Sequence, residues 1–455
     1  MNILQMLWKL WGFKRNTRKK RAQILALQEK KLRRLLDFAY EHSAYYRRSF
    51  EAAGITRERI QTTPLSAFPT INKAELLAHY EEVVTDQALT QAEMQRFDAN
   101  QTDAQRFREQ YHVVHSSGST GKPSYFAYDE RAWSSMLLGI IRGALWNMSM
   151  LQIVRFLASG VRIVYIAATD GRYGGAMAVA DGTRGVGAKE LQLDIKTPLS
   201  QWVSQIKAFA PNLIIGYPSA IKILAELVER GEVTIQPVRV ISCGEPLGSS
   251  LRQYLEEVLQ APVINIYGAS ESLALGVESD PEEGMILFDD LNVLEVEQGR
   301  LYLTSLENFV QPLIRYQLTD QLTLREPDAD SAYPFNRAVG LVGRQEDLLW
   351  FEDEQGNREF LHPLAIEGFC IEGLLAYQIC QLGRDALEIV AQRCRKAKDA
   401  DIQAALSSQM QAVLLAKGLD YVHFTIRFVD EIRPDPRTGK KPLIVQTIGK
   451  ETIAG

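Results

Sequence analysis

The sequence predicts an α/β protein: a large N-terminal domain of mostly parallel sheets flanked by helices, with a small β-barrel-like part, and then a small α+β C-terminal domain. Three observations carry this expectation. Between 111 and 270, apolar strand-length runs alternate with amphipathic helical runs, the pattern of parallel strands covered on both faces. Between 285 and 326 only short strands follow one another, which suits a smaller antiparallel sheet or barrel. After Gly343-Arg344 a hairpin signature opens a new unit. At 455 residues the chain is too long for one ordinary core. The expected division is 1–110, an N-terminal helical segment leading into the large domain; 111–342, the large domain; and 343–455, the small C-terminal domain.

The elements follow in order. Leu25, Leu32, Leu35, Leu36 and Phe38 recur at helical spacing, so 22–53 reads as helices that stop near Gly54. Asn72 suits the cap of a helix through Leu76. Strands are expected at Arg162–Ala167, Asn212–Gly216, Val238–Ser242 and Pro262–Tyr267, and helices at Trp202–Phe209, Ala220–Arg230 and Ser249–Leu259. Short strands follow at Met285–Phe288, Val293–Val296 and Leu301–Thr304. A hairpin joins Leu348–Phe351 to Arg358–Leu361 through the turn at 354–357. Ligands of parallel sheets gather at the carboxyl ends of strands, so the loops after these strands are where chemistry is expected.

Composition narrows the function class. Hydrophobic content of 46% and charged content of 24% describe a soluble globular protein, and no apolar run approaches the roughly 18–20 residues of a membrane span. The short run Met1–Trp8 is followed by charge rather than a small-residue cleavage site, so no secretory signal is expected. Cys243, Cys370, Cys380 and Cys394 lack metal spacing and read as reduced thiols of a cytoplasmic protein, without a zinc site. Residues 1–34 hold eleven basic groups against Glu29 alone, a charge of +10, which leaves −15 on the remainder of a chain of net charge −5. An acidic bulk argues against nucleic acid. Trp8, Trp11 and Phe13 lie beside the basic cluster. The preferred reading is a solvated helix that packs its aromatics on the main domain; the other is peripheral contact with the inner face of an anionic membrane.

Ser116-Ser117-Gly118-Ser119-Thr120-Gly121-Lys122-Pro123 follows the strand-like Tyr111–His115. Glycines let a backbone approach a polyphosphate, hydroxyls and N–H groups donate to it, and Lys122 adds a point charge. The Walker pattern does not fit, because Ser116 stands where it needs Gly and Pro123 where it needs Ser or Thr. The loop is therefore a phosphate-grasping loop of another kind, and ATP is the expected partner. Gly244-Glu245-Pro246 and Tyr267-Gly268-Ala269-Ser270-Glu271 each follow a strand, where an aromatic can stack on a purine and a carboxylate can hold Mg²⁺. In Pro312–Asp320, Asp320 offers an acceptor for ribose hydroxyls and Arg315 a cation for phosphate.

Taken in order, these motifs, with Gly216-Tyr217-Pro218-Ser219 and Gly343-Arg344, resemble the adenylate-forming superfamily across nearly the whole chain, and most nearly its phenylacetate–CoA ligase and coenzyme F390 synthetase branch. The resemblance implies a mobile C-terminal domain swinging about a hinge at 344–347. It implies that Ser116, Ser117, Gly118, Ser119, Thr120, Gly121 and Lys122 hold ATP phosphates, that Gly244, Glu245 and Pro246 line the adenine pocket, and that Tyr267, with Gly268 and Ser270 in its motif, stacks near adenine. Glu271 would ligate Mg²⁺, Asp320 would bind ribose, and Arg344 would sit beside the hinge, with Glu346 at its pivot. Lys440, with Lys441 as rival, would neutralise the α-phosphate as a carboxylate displaces pyrophosphate.

The implied enzyme is an ATP-dependent ligase that makes an acyl-adenylate from an aromatic or apolar acid and passes the acyl group to a thiol. Trp146, Tyr173 and Tyr217 are the candidate residues for the acid's pocket. The segment Leu348–Asn357 departs from the Gly-rich loop common in CoA ligases, so the acceptor stays open among CoA, a carrier protein, an amine and no second step at all. A homodimer is compatible with the sequence. Two alternatives stand beside the ligase: an F390 synthetase-like adenylyltransferase that moves AMP onto a cofactor hydroxyl, and a non-catalytic ATP-binding, membrane-associated protein.

Overall fold

The structure is a computed structural model that describes residues 3–99, 106–116, 124–169, 173–184, 187–328, 330–342, 348–353, 355–366, 369, 371–393, 398–432 and 443–446. The chain opens with helices α1 (Ile3–Asn16), α2 (Arg21–His42), α3 (Ala44–Ala52), α4 (Lys73–Ala78), α5 (Tyr80–Val83) and α6 (Gln91–Ala99). Ser43 caps α3 through its side chain, and Gly54 just beyond the helix has φ +72, the left-handed stop that favours glycine. Asn72 caps α4: its side chain accepts from the Glu75 N–H at 3.0 Å, and Glu75 returns a carboxylate to the Asn72 N–H at 2.9 Å.

This segment is bolted to the main body at a buried ion pair by Asn16, Arg21 and Lys31. Arg142 forms a bidentate pair with Asp290 at 2.7 and 2.9 Å, fully out of solvent, and the same carboxylate accepts from Asn16 at 2.8 Å. Burial alone would raise the Asp290 pKa, but the guanidinium of Arg142 holds it below the ordinary value. Arg21 pairs with Asp289 at 2.5 Å, and Lys31 donates to the Asp290 carbonyl at 2.7 Å.

Strands β1 (His112–His115) and β2 (Tyr125–Tyr128) form an antiparallel hairpin, followed by α7 (Glu130–Ala144) and α8 (Met150–Ala158). The alternating unit is β3 (Arg162–Ala167), α9 (Gly174–Arg184), β4 (Lys189–Asp194), α10 (Leu199–Phe209), β5 (Leu213–Gly216), α11 (Pro218–Glu229), β6 (Arg239–Cys243), α12 (Ser249–Leu259) and β7 (Val263–Ala269). Strands β4, β3, β5, β6 and β7 lie side by side and parallel; all but the edge strand β4 were expected from the alternation. The sheet then continues antiparallel through β8 (Ser272–Glu278) and β9 (Met285–Leu287) beyond its parallel part.

The short strands divide. β10 (Asn292–Glu297), β11 (Arg300–Ser305) and β12 (Tyr316–Leu318) form a three-stranded antiparallel sheet, while β13 (Gln321–Arg325) and β14 (Arg337–Val342) complete the far edge of the nine-stranded sheet. Leu294, Leu301, Leu303, Leu318 and Leu322 share one apolar interior, which gives this corner its barrel-like character.

The expected hairpin is present as β15 (Leu349–Glu352) and β16 (Arg358–Leu361). After the short helix α13 (Pro363–Ile366), β17 (Leu374–Gln381), β18 (Ala386–Arg393), β19 (His423–Val429) and β20 (Ile444–Gln446) form a four-stranded sheet in the order β19-β18-β17-β20. Helix α14 (Asp399–Lys417) covers it with Ile402, Leu406, Met410 and Leu414, one stripe at i, i+4 spacing. Among the described residues, no helix is long and apolar enough to cross a membrane.

Candidate active site

A cavity of about 550 Å³ opens at the carboxyl ends of β5, β6 and β7 and runs back along one face of the sheet. Its floor is set by the period of two along a strand. Val161, Ile163 and Tyr165 come from β3 and the residue before it; Leu213, Ile215 and Tyr217 from β5 and the residue after it; Ile241 and Cys243 from β6; Asn265 and Tyr267 from β7. Its roof is Leu137, Ile140 and Ile141 of α7 with Ala178, Val179 and Gly182 of α9. Because the strands are parallel, polar loops gather at one end, and Val161 and Leu213 mark the other.

At the polar end, Tyr267 donates its hydroxyl to Asp320 at 2.9 Å. Burial raises the Tyr267 phenol well above its ordinary pKa, so it stays a donor. Burial also raises Glu271; the Tyr316 hydroxyl and the charge of Lys73 pull the other way, while Asp320 adds to the rise. Gly244 has φ +80, and a Cβ there would lie 2.6 Å from the Tyr217 ring, so this turn requires glycine. Glu245 lines the cavity while its carboxylate accepts from the Ser219 N–H at 3.1 Å and hydroxyl at 3.0 Å and sits 2.7 Å from His362 Nε2. Ser116 also lines the cavity. Its N–H donates to the Ser124 carbonyl at 2.9 Å, and its hydroxyl accepts from the Ser124 N–H at 3.1 Å, which closes the neck of the loop between β1 and β2.

The structure thus brings Ser116, Gly244, Glu245, Pro246, Tyr267, Gly268, Ser270, Glu271, Asp320, Tyr173 and Tyr217 to one cavity. Two expectations need correcting. Trp146 is absent from the cavity wall: it follows the end of α7 and packs behind the lining residues, 4.9 Å from the Tyr333 ring and 5.9 Å from that of Phe288. Arg315 does not face phosphate. It is buried against Glu295 at 3.2 Å and Glu297 at 2.5 Å and donates to the Ser66 and Phe68 carbonyls, bracing the N-terminal segment. Ser117, Gly118, Ser119, Thr120, Gly121, Lys122, Arg344, Glu346, Lys440 and Lys441 lie outside the described residues.

Sequence reasoning missed Lys73, Tyr316 and His362. The pairing of Ile71 with Tyr316 brings the start of α4 beside β12, and so brings Lys73 to the cavity. Among the described residues, no cluster of three or more His, Cys, Asp or Glu could hold a metal ion. Glu271, a carboxylate on the cavity wall, still fits a hard cation: one or two carboxylates with substrate phosphates are how Mg²⁺ is commonly held with a nucleotide.

An α/β sheet whose strand ends open on a cavity with a polar end and an apolar arm, followed by a separate small C-terminal sheet, is the architecture on which the comparisons bear. The AMP-binding enzyme model matches residues 55–287, and this chain belongs to that family. It is an AMP-forming, adenylate-forming ligase, and its likeness is to the phenylacetate–CoA ligase branch. The phenylacetate-coenzyme A ligase of Escherichia coli (strain K12) is 26% identical over 350 residues, 72% of each chain. The phenylacetate-coenzyme A ligase of Pseudomonas putida is 26% identical over 356 residues, 72% of this chain and 73% of that one. Among solved structures, 2-hydroxyisobutyryl-CoA ligase in complex with 2-HIB-AMP and CoA superposes with a TM-score of 0.61 at 18% identity, over 95% of this chain and 91% of that one, which speaks for the fold.

Proposed function

We propose that this protein activates an elongated apolar carboxylic acid with Mg-ATP and transfers the acyl group to the thiol of CoA. The observation that carries the substrate class is the apolar arm. From Tyr217 to Leu213 it follows roughly 13 Å of strand, at about 3.3 Å per residue, lined almost wholly by aliphatic side chains. That is longer than a single aryl ring needs. An alkyl chain lying along β5 would place its carboxylate at the carboxyl ends of the strands, beside the nucleotide.

In the first step a carboxylate oxygen attacks the α-phosphorus of ATP, and pyrophosphate leaves. Asp320, oriented by Tyr267, accepts from the ribose hydroxyls; the segment Gly244–Pro246 faces adenine; Ser116 and the loop after it, with Lys73, face the phosphates; Lys440 meets the α-phosphate. Glu271 would hold Mg²⁺, which supplies charge neutralisation on the phosphates when bound. In the second step the thiol sulfur, its proton lost, attacks the acyl carbon and AMP leaves. The CoA acceptor is supported by the relatives, which are named as CoA ligases.

Pyrophosphate release from Mg-ATP, measured over acids of graded chain length with and without CoA, tests the reading. Medium- to long-chain alkanoic acids are expected to outperform phenylacetate, with AMP and the thioester appearing only when CoA is added. A preference for phenylacetate would overturn the substrate class. Release with no acid present but with a cofactor hydroxyl would favour adenylyl transfer.

A further inference from the structure

Helix α1 is amphipathic twice over. Met6 and Leu10 are buried and Phe13 half-buried on its inner face. Its outer face carries Leu4, Trp8, Trp11 and Arg15, a stripe at i, i+4, i+7, i+11 in which Leu4 is 75% exposed, Trp8 72% and Trp11 46%. Exposed Trp in such number is unusual on a soluble surface and marks an interaction face. Helix α8 repeats the pattern: Ile153 and Phe156 share an apolar cluster with Met6 and Leu10, while Leu151 and Val154 are exposed.

The charges around the stripe identify its partner. Lys14, Arg21 and Lys31 of the basic cluster are consumed by contacts with the main body, Lys14 donating to the Leu145 and Trp146 carbonyls at 3.0 and 3.1 Å. Lys9, Arg15, Arg18, Lys20, Lys30 and Arg34 remain exposed, and Arg15 lies 4.7 Å over the Trp11 ring. Tryptophan interleaved with exposed cations on one helix suits the headgroup region of an anionic bilayer. An isologous pairing with a second copy would instead set two basic helices against each other.

We propose that the outer face of α1 docks this protein onto an anionic lipid surface. Met6 of α1 and Phe156 and Leu157 of α8 line the apolar end of the main cavity, so the docked helices also close that end. On the function proposed above, an apolar acid would then be drawn from the bilayer itself; the docking does not depend on that function.

Flotation of the full chain with vesicles tests it, comparing phosphatidylcholine alone with phosphatidylcholine containing about one third phosphatidylglycerol. Recovery should be at least about tenfold greater on the anionic vesicles and should fall with added salt. Trp8→Ala/Trp11→Ala and Lys9→Glu/Arg15→Glu should each cut recovery about tenfold or more, with unchanged circular dichroism and unchanged pyrophosphate release on a water-soluble acid. Absence of recovery on anionic vesicles, or equal recovery of the variants, would overturn the proposal. So would lipid-free self-association abolished by Trp8→Ala/Trp11→Ala, which would assign the stripe to a second copy.

Discussion

Glu271 sits where burial works against its own charge. Its pKa is raised in the folded chain, first by desolvation, and Lys73 partly restrains the rise. Two outcomes follow. A carboxyl whose folded pKa exceeds its unfolded value loses stability as pH rises from the unfolded pKa through the folded one, because the folded state then holds the extra proton. Glu271→Gln should therefore raise the melting temperature of the ligand-free protein at neutral pH while cutting pyrophosphate release roughly a hundredfold, and the stability gain should vanish well below the ordinary carboxylate pKa. A melting temperature unchanged at neutral pH would refute the account of Glu271. Lys73→Met removes a charge that lowers the Glu271 pKa. The acidic limb of the kcat/KM profile should move to higher pH, and ATP affinity should fall about tenfold, the order expected for one charge-assisted hydrogen bond. An unmoved limb would mean that Lys73 and Glu271 are not coupled.

At the scale of the element, a short helix aims Lys73. The reciprocal Asn72–Glu75 cap fixes the first turn of α4, and Lys73 is the first residue of that turn. Asn72→Ala should cost about 1 kcal/mol in denaturant unfolding and raise the KM for ATP several-fold without changing the preferred acid. Helix α9 aims at the other substrate. A Cβ at Gly182 would stand 3.7 Å from Leu137, ordinary contact, so Gly182→Leu is tolerated locally and fills the apolar arm. If it excludes about three methylenes, long acids should lose roughly 2–3 kcal/mol, near fiftyfold in kcat/KM, while short acids are spared. A uniform loss across chain lengths would argue that the arm does not hold the acid. These same elements show what the sequence made legible. Four of the five parallel strands were bounded by Pro, Gly or Asn and read clearly as apolar runs; the edge strand β4, Lys189–Asp194, alternates polar and apolar residues and was missed. Helix α9 was missed as well, because Gly174, Gly175 and Gly182 resemble a loop; Gly174 and Gly175 are small because the start of the helix lies against Leu273 and the Tyr165 hydroxyl, a packing reason invisible in local sequence. Helix α8 blurred its own period by exposing Leu151 and Val154.

Across the whole molecule, the polar loops of the site were legible because each follows its own strand, whereas residues brought from far along the chain were not. Lys73 reaches Glu271 only through the pairing of Ile71 with Tyr316, and His362 reaches Glu245 across more than a hundred residues. Another such link joins the small sheet to the large one. Lys417 ends α14 and is fully buried: its ammonium donates to the Thr197 carbonyl at 2.7 Å, pairs with Glu359 at 3.1 Å and lies 3.7 Å over the Phe360 ring, which itself stacks edge-on to Trp202. Glu359 also accepts from the Leu199 N–H at 2.6 Å, so hairpin, α10 and α14 meet at one charge. Burial lowers the Lys417 pKa to about 8, although Glu359 opposes the shift. The sign of the resulting linkage is definite. Between about 8 and the ordinary 10.5, the unfolded chain holds a proton that the folded chain has lost, so this residue makes stability rise with pH across that window and contributes no slope below it. Lys417→Met keeps the length and the aromatic contact but removes the titration. Its unfolding free energy, measured from pH 7 to 10.5, should lack the rise that the parent protein shows above pH 8, where a single group contributes at most about 1.4 kcal/mol per pH unit. Parallel curves for the two proteins would show that this lysine keeps the same charge in the folded and unfolded chain across that window, and would overturn the account of its burial.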